Sequence, residues 1–185
     1  MNFTKKLRSW ALERKFGRTV LFFTGVLLLT MCSFSLPQPG PPFSEDVDSS
    51  LGAVLHFASE HRLQFGQDLV FTYGPLGFLT FFYYFPHAFA GQLATHFVLG
   101  FVAAAGVCLI AMRSPKIWRW LLLLTFCWVG ANGSPRVDLS LNLGLFCWCL
   151  LCFVETGNRL AISALVFVVL GVFAALTKIS FLFAA

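Results

Sequence analysis

Five apolar runs constrain this chain more than any other feature. They lie at about Thr19–Leu36, Ala88–Met112, Ile117–Ala131, Leu139–Val154 and Leu160–Leu182. A helix that crosses hydrocarbon needs about 20 mostly apolar residues. A helix that is apolar on every side has no wet face to offer water. Only 11% of the 185 residues are charged, where a soluble domain carries roughly a quarter. The runs therefore predict an all-α membrane protein of about five transmembrane helices, the third and fourth being short.

The charges between the runs predict the orientation. Segment 1–18 holds Lys5, Lys6, Arg8, Arg14, Lys15 and Arg18 against Glu13 alone. Segment 37–87 holds Glu45, Asp46, Asp48, Glu60 and Asp68 against Arg62, and the next loop holds Arg113, Lys116 and Arg119 with no acid. Basic, acidic, basic is the alternation of a chain whose N-terminus is cytoplasmic. The 37–87 loop and the Asn132–Asp138 turn are then outside, and the loop near Glu155 and Arg159 is inside. A basic block abutting a span is read as its cytoplasmic flank and not as a nucleic-acid site. Ser33-Phe34-Ser35 is a poor small-x-small cleavage site, and Met31 is wrong for a lipobox before Cys32. The first run is therefore expected to be an uncleaved anchor.

The six cysteines all fall in apolar runs, which argues against a disulfide framework. On a helix Cys147 and Cys149 point about 200° apart, and only Cys149 and Cys152 share a face. They read as small buried hydrophobes, with no metal site.

The chemistry is expected in the outer loop. Ser44 can cap a helix whose first turn carries Glu45, Asp46 and Asp48, which suits the positive helix end. Leu51, Val54, Leu55 and Ala58 recur as one apolar stripe with His56 and Glu60 opposite, and Gly66 is the expected stop. This describes an amphipathic juxtamembrane helix on the membrane surface. The stretch Phe65–Phe85, "FGQDLVFTYGPLGFLTFFYYF", follows it. Its rings favour the headgroup zone, and Tyr73-Gly74-Pro75-Leu76-Gly77 supplies turns that let the chain dip and return. Irregular backbone at that depth must pack on protein or line a wet cavity, so the segment is expected to form the lip of an outer cavity.

Asp48-Ser49-Ser50, the amphipathic stretch and "FGQDLVFTYGPLGFL" together resemble the first outer loop of multi-span membrane glycosyltransferases of the C fold. The likeness is stronger to a bacterial subgroup of uncharacterised membrane proteins related to them. "LTKISF" at Leu176–Phe181 resembles a later span of such proteins. The resemblance implies a bacterial inner (plasma) membrane protein that moves a sugar from a polyprenyl-phosphate carrier to an acceptor outside. It implies membrane lipid and a lipid-linked sugar as partners, and an essential acid soon after the first span. Family members have more spans, so the resemblance also implies the N-terminal part of a longer protein. The Asp46-Val47-Asp48 pair does not match every relative cleanly, so either aspartate can correspond to the essential one.

Asp48, then Asp46, are the candidate bases that would take the acceptor proton while the lipid phosphate leaves; helix capping is the other role open to them. Asp68, Tyr73, Lys178 and Arg136 are the candidate substrate-binding residues. Lys178 near the outer end of the fifth span would hold a phosphate or snorkel. Arg136 would contact phosphate or pair with Asp138. His56 and His61 are weaker candidates, and Asn142 is expected to hydrogen-bond between helices. No nucleotide-binding motif is evident, which fits a lipid-carried donor, and a divalent-cation requirement stays open. The rival expectation is a non-enzymatic membrane component, such as a transporter part or an assembly subunit, or a truncated inactive remnant.

Overall fold

The computed structural model describes residues 17, 19–31, 47–64, 68, 73–80, 85–132 and 137–177, with side chains at 47–49, 130–132 and 137–139 outside that description. The fold is all-α. In chain order the helices are α1 (Thr19–Met31), α2 (Val47–Glu60), α3 (Phe89–Arg113), α4 (Lys116–Asn132), α5 (Val137–Val154) and α6 (Asn158–Thr177), with a short 3-10 turn at Gly77–Leu79 before α3. Two of them, α3 with 25 residues and α6 with 20, are long and apolar enough to cross a membrane. The starts and ends of α3, α4 and α5 fall within two residues of the expected runs. Residues 32–36 of the first expected run and 178–182 of the last lie outside the described residues.

The bundle is held by close approach of small residues. Gly100, Ala103, Ala104, Val107 and Ala111 form the buried face of α3, and small side chains let helix backbones approach closely. A Cβ on Gly106 would stand 2.9 Å from the Cβ of Cys147 and 3.2 Å from Nε1 of Trp148 on α5. At the same crossing Trp148 donates its indole N–H to the Val102 carbonyl at 3.0 Å. On one side, Val26 and Leu29 of α1 and Phe126 of α4 join this face; on the other, Leu99 meets Leu141, Leu151, Leu170 and Ala174 of α5 and α6. Cys108 and Cys147 are buried there, while Cys127, Cys149 and Cys152 are half-buried.

The two ends of the bundle differ. At one end Arg113, closing α3, forms an ion pair with Glu155, just after α5. Arg119 there donates to the carbonyls of Ala111 at 2.9 Å and Ser114 at 3.3 Å, capping α3. At the other end lie α2, the Gly77–Leu79 turn, the start of α3 and the close of α6. Much of the outer helix surface is apolar: Trp118, Leu124 and Trp128 of α4 and Ile162, Leu165 and Val169 of α6 are all exposed.

Candidate functional site

Helix α2 is clamped to the bundle end by its middle turn. Gly52, Leu55 and His56 are buried, whereas Val54 and Phe57 are exposed. This corrects the expected stripe. Leu55 and Ala58 are inside as anticipated, but Val54 is not, and His56, placed opposite the stripe, is 1% exposed. The helix is turned so that the imidazole, and not the valine, faces protein. It also stops before Gly66. Arg62 adopts a left-handed φ of 55°, its N–H donates to Ser59 O, and Leu63 N–H donates to Ala58 O. That pair of bonds is the Schellman closure of a helix end. His61 is exposed beyond it, stacked on Phe57.

His56 sits in an aromatic box with one polar wall. Gln92, in the first turn of α3, has no exposed surface. Its amide NH2 donates to Phe78 O at 3.2 Å and lies 3.0 Å from His56 Nε2. With the amide so oriented, Nε2 accepts and the imidazole proton sits on Nδ1. Nδ1 is buried and has no hydrogen-bond partner among the described residues. Phe85 stacks on the imidazole with centroids 3.6 Å apart, and Phe78 and His87 meet it edge-on at 5.8 and 5.6 Å. Burial, and then the charge His87 can carry, push the His56 pKa down to about 4. Desolvation disfavours the imidazolium, so this ring is neutral at neutral pH.

The Gly-Pro block has a structural task that its sequence did not disclose. Gly74 N–H donates to Thr177 O and Leu76 N–H to Leu176 O, both at 3.0 Å. These are carbonyls of the last turn of α6, which no helical N–H can satisfy. Pro75 occupies the second position of a turn closed by Gly77 N–H on Gly74 O at 2.9 Å, where its fixed φ fits. Gly74 is demanded by proximity, since a Cβ there would lie 2.3 Å from Leu176 O. A Cβ on Gly77 would meet Tyr73 Cβ at 3.0 Å, Thr177 O at 3.2 Å and Leu55 Cδ1 of α2 at 3.3 Å. The turn thus joins α2, α3 and α6 at one point.

Of the expected site residues, Asp46, Arg136 and Lys178 lie outside the described residues, as does Ser44. Asp48 falls in the first turn of α2, with its side chain outside the description. Asp68 is exposed; its Oδ2 accepts the Gln64 N–H at 2.9 Å, and its own N–H donates to Gln64 O at 2.8 Å. That reciprocal pair closes a loop. Tyr73 is half-buried and immediately precedes the turn that caps α6. Asn142 is exposed on α5. Residues overlooked as a group are His56, His87 and Gln92. Gln92 carried a readable signal, a lone amide at the start of an apolar span, of the kind that demands a partner.

Among the described residues no three His, Cys, Asp or Glu side chains converge. No protein-family model matches this chain, and neither a curated protein nor a solved structure matches it.

Proposed function

We propose that this chain crosses the membrane about five times, N-terminus cytoplasmic, and contributes the first outer loop of a glycosyltransferase that uses a polyprenyl-phosphate sugar. The observation that carries the reading is the seating of α2. Leu55 against Gly77 and His56 against Gln92 make α2 a fixed arm of the bundle end and not a helix adrift on the surface. Its first turn bears Asp48. A carboxylate on a rigid element meets the positional demand of general-base catalysis. The exposed apolar surface of α4 and α6 supports lipid surroundings for the spans.

In the proposed reaction Asp48 takes the proton of an acceptor hydroxyl as its oxygen attacks the anomeric carbon. The bond from that carbon to the lipid-phosphate oxygen breaks with its electron pair, releasing the polyprenyl phosphate. Asp46 is the alternative base, and Lys178 and Arg136 would receive the departing phosphate. Tyr73 would face the sugar at the rim. Asp68 is the weakest member of the set, because its carboxylate already closes the Gln64 loop.

A second reading is favoured by the Gly-Pro turn. It is spent on capping α6, which suits a non-enzymatic membrane component whose outer loop braces the bundle. Purified chain in lipid, given labelled polyprenyl-phosphate sugars, separates the two. The enzyme reading expects sugar release that Asp48→Asn abolishes with α2 intact, since asparagine still caps a helix but cannot take the proton. A folded chain that releases no sugar from any donor, or an Asp48→Asn variant with full activity, overturns it.

A further inference from the structure

We infer that the Arg113–Glu155 end of the bundle is a docking surface for anionic phospholipid headgroups, with Lys116 and Arg159 as the contacting cations. The inference rests on the membrane-spanning reading. Among the described residues this end carries Arg113, Lys116, Arg119 and Arg159 and a single acid, Glu155. Arg113 occupies that acid, and Arg119 is engaged with the α3 carbonyls. The ion pair also draws the α3–α4 and α5–α6 connections together, so Lys116 and Arg159, both exposed, share one rim on which no further carboxylate of the described residues stands to neutralise them.

The face of α4 continues the argument. Lys116, Trp120, Leu124 and Trp128 recur every fourth residue, a ridge of successive neighbours that winds through about 120° of the helix. All are exposed, the last three at 57%, 63% and 68%. A cation, then an indole, then apolar side chains is the order in which one leaflet presents phosphate, interface and hydrocarbon. Lys116 to Trp128 spans about 18 Å along the axis, so Lys116 stands at headgroup depth when Leu124 lies in hydrocarbon. Charge selects the occupant. A zwitterionic headgroup brings its own cation to such a rim, whereas an anionic one supplies the missing countercharge. Each basic residue near an anionic surface is worth about fivefold in association.

The test uses the full chain in mixed micelles with equal phosphatidylglycerol and phosphatidylcholine, and native mass spectrometry to count the lipids retained. The native chain is expected to favour phosphatidylglycerol. The Lys116→Gln/Arg159→Gln variant should lose at least about fivefold of that preference. Lys116→Arg/Arg159→Lys, which keeps both charges, should retain it, a result that mere loss of packing does not produce. The basic segment 1–18 is present in every variant, so differences between them report the rim. A native chain that takes both lipids in proportion, or a double variant that keeps the full preference, overturns the inference. Washing membranes with alkaline carbonate separates this from failure of the underlying reading. A chain stripped from the membrane sinks the spanning reading, and a chain retained but indifferent to headgroup charge sinks the lipid surface alone.

Discussion

Replacing Gly74 with alanine puts a carbon 2.3 Å from Leu176 O and 2.8 Å from the Leu176 carbonyl carbon. Both obstacles are backbone, so no side chain can rotate away and the turn must lift from α6. Lifting breaks the Gly74–Thr177 and Leu76–Leu176 bonds. Each is worth about 1 kcal/mol net, and stranding a buried carbonyl adds about 1–3 kcal/mol. The capped turn should therefore lose about 3–5 kcal/mol of local stability. Because Gly77 touches Leu55 and Phe78 O binds Gln92, the loosening should reach α2. Amide hydrogen exchange on the full chain in micelles measures it directly. A loss of about 3 kcal/mol corresponds to about 160-fold faster exchange at residues 74 and 76, with a smaller acceleration along α2. Gly171→Ala is the control, since nothing stands within 4 Å of that position's Cβ. Unchanged protection at residues 74 and 76 in Gly74→Ala would refute the capping argument.

The docking of α2 should weaken in acid. His56 is held at about 4 in the docked state against an ordinary value of about 6.5, so the undocked state takes up a proton first. Docking is fully stable above pH ~6.5 and loses up to about 3 kcal/mol as pH falls toward ~4. Exchange of residues 47–64, corrected for intrinsic rates, should be faster at pH 4.5 than at pH 7.5, and His56→Phe should abolish the difference; equal protection at both pH values counts against it. Gly106→Ala should force α3 from Cys147 and strain the Trp148–Val102 bond, at a cost of about 1–3 kcal/mol. It should lower the thermal midpoint in micelles, and an unaltered midpoint means that the helices part without penalty.

What the sequence disclosed and what it withheld divide along the range of the interactions. The limits of α3, α4 and α5 were legible because apolar length and flanking charge are local properties. The facing of α2 was not. The stripe Leu51, Val54, Leu55, Ala58 and the observed set Gly52, Leu55, His56, Ala58 share two members, and the exchange of the other two turns the buried face by roughly 80°. Hydrophobicity alone prefers the first. The deciding partner, Gln92, lies 36 positions along the chain, and an imidazole facing an amide inside an aromatic box is cheaper to bury than composition suggests. The Gly-Pro block follows the same rule. Its turn could be read from Gly74-Pro75, but the carbonyls it satisfies belong to Leu176 and Thr177, about a hundred residues on. A turn chosen for a distant helix end looks, in sequence, like a turn chosen for a ligand. Asp68, read as a cavity acid or a loop acid, carries the same ambiguity at short range, its Oδ2 accepting the N–H of Gln64 four residues away. The hypothesis of catalysis therefore now rests on Asp48, in the first turn of a helix that the fold seats against the bundle, with Asp46 as the alternative base, and the aromatic block supports it only by fixing that helix in place.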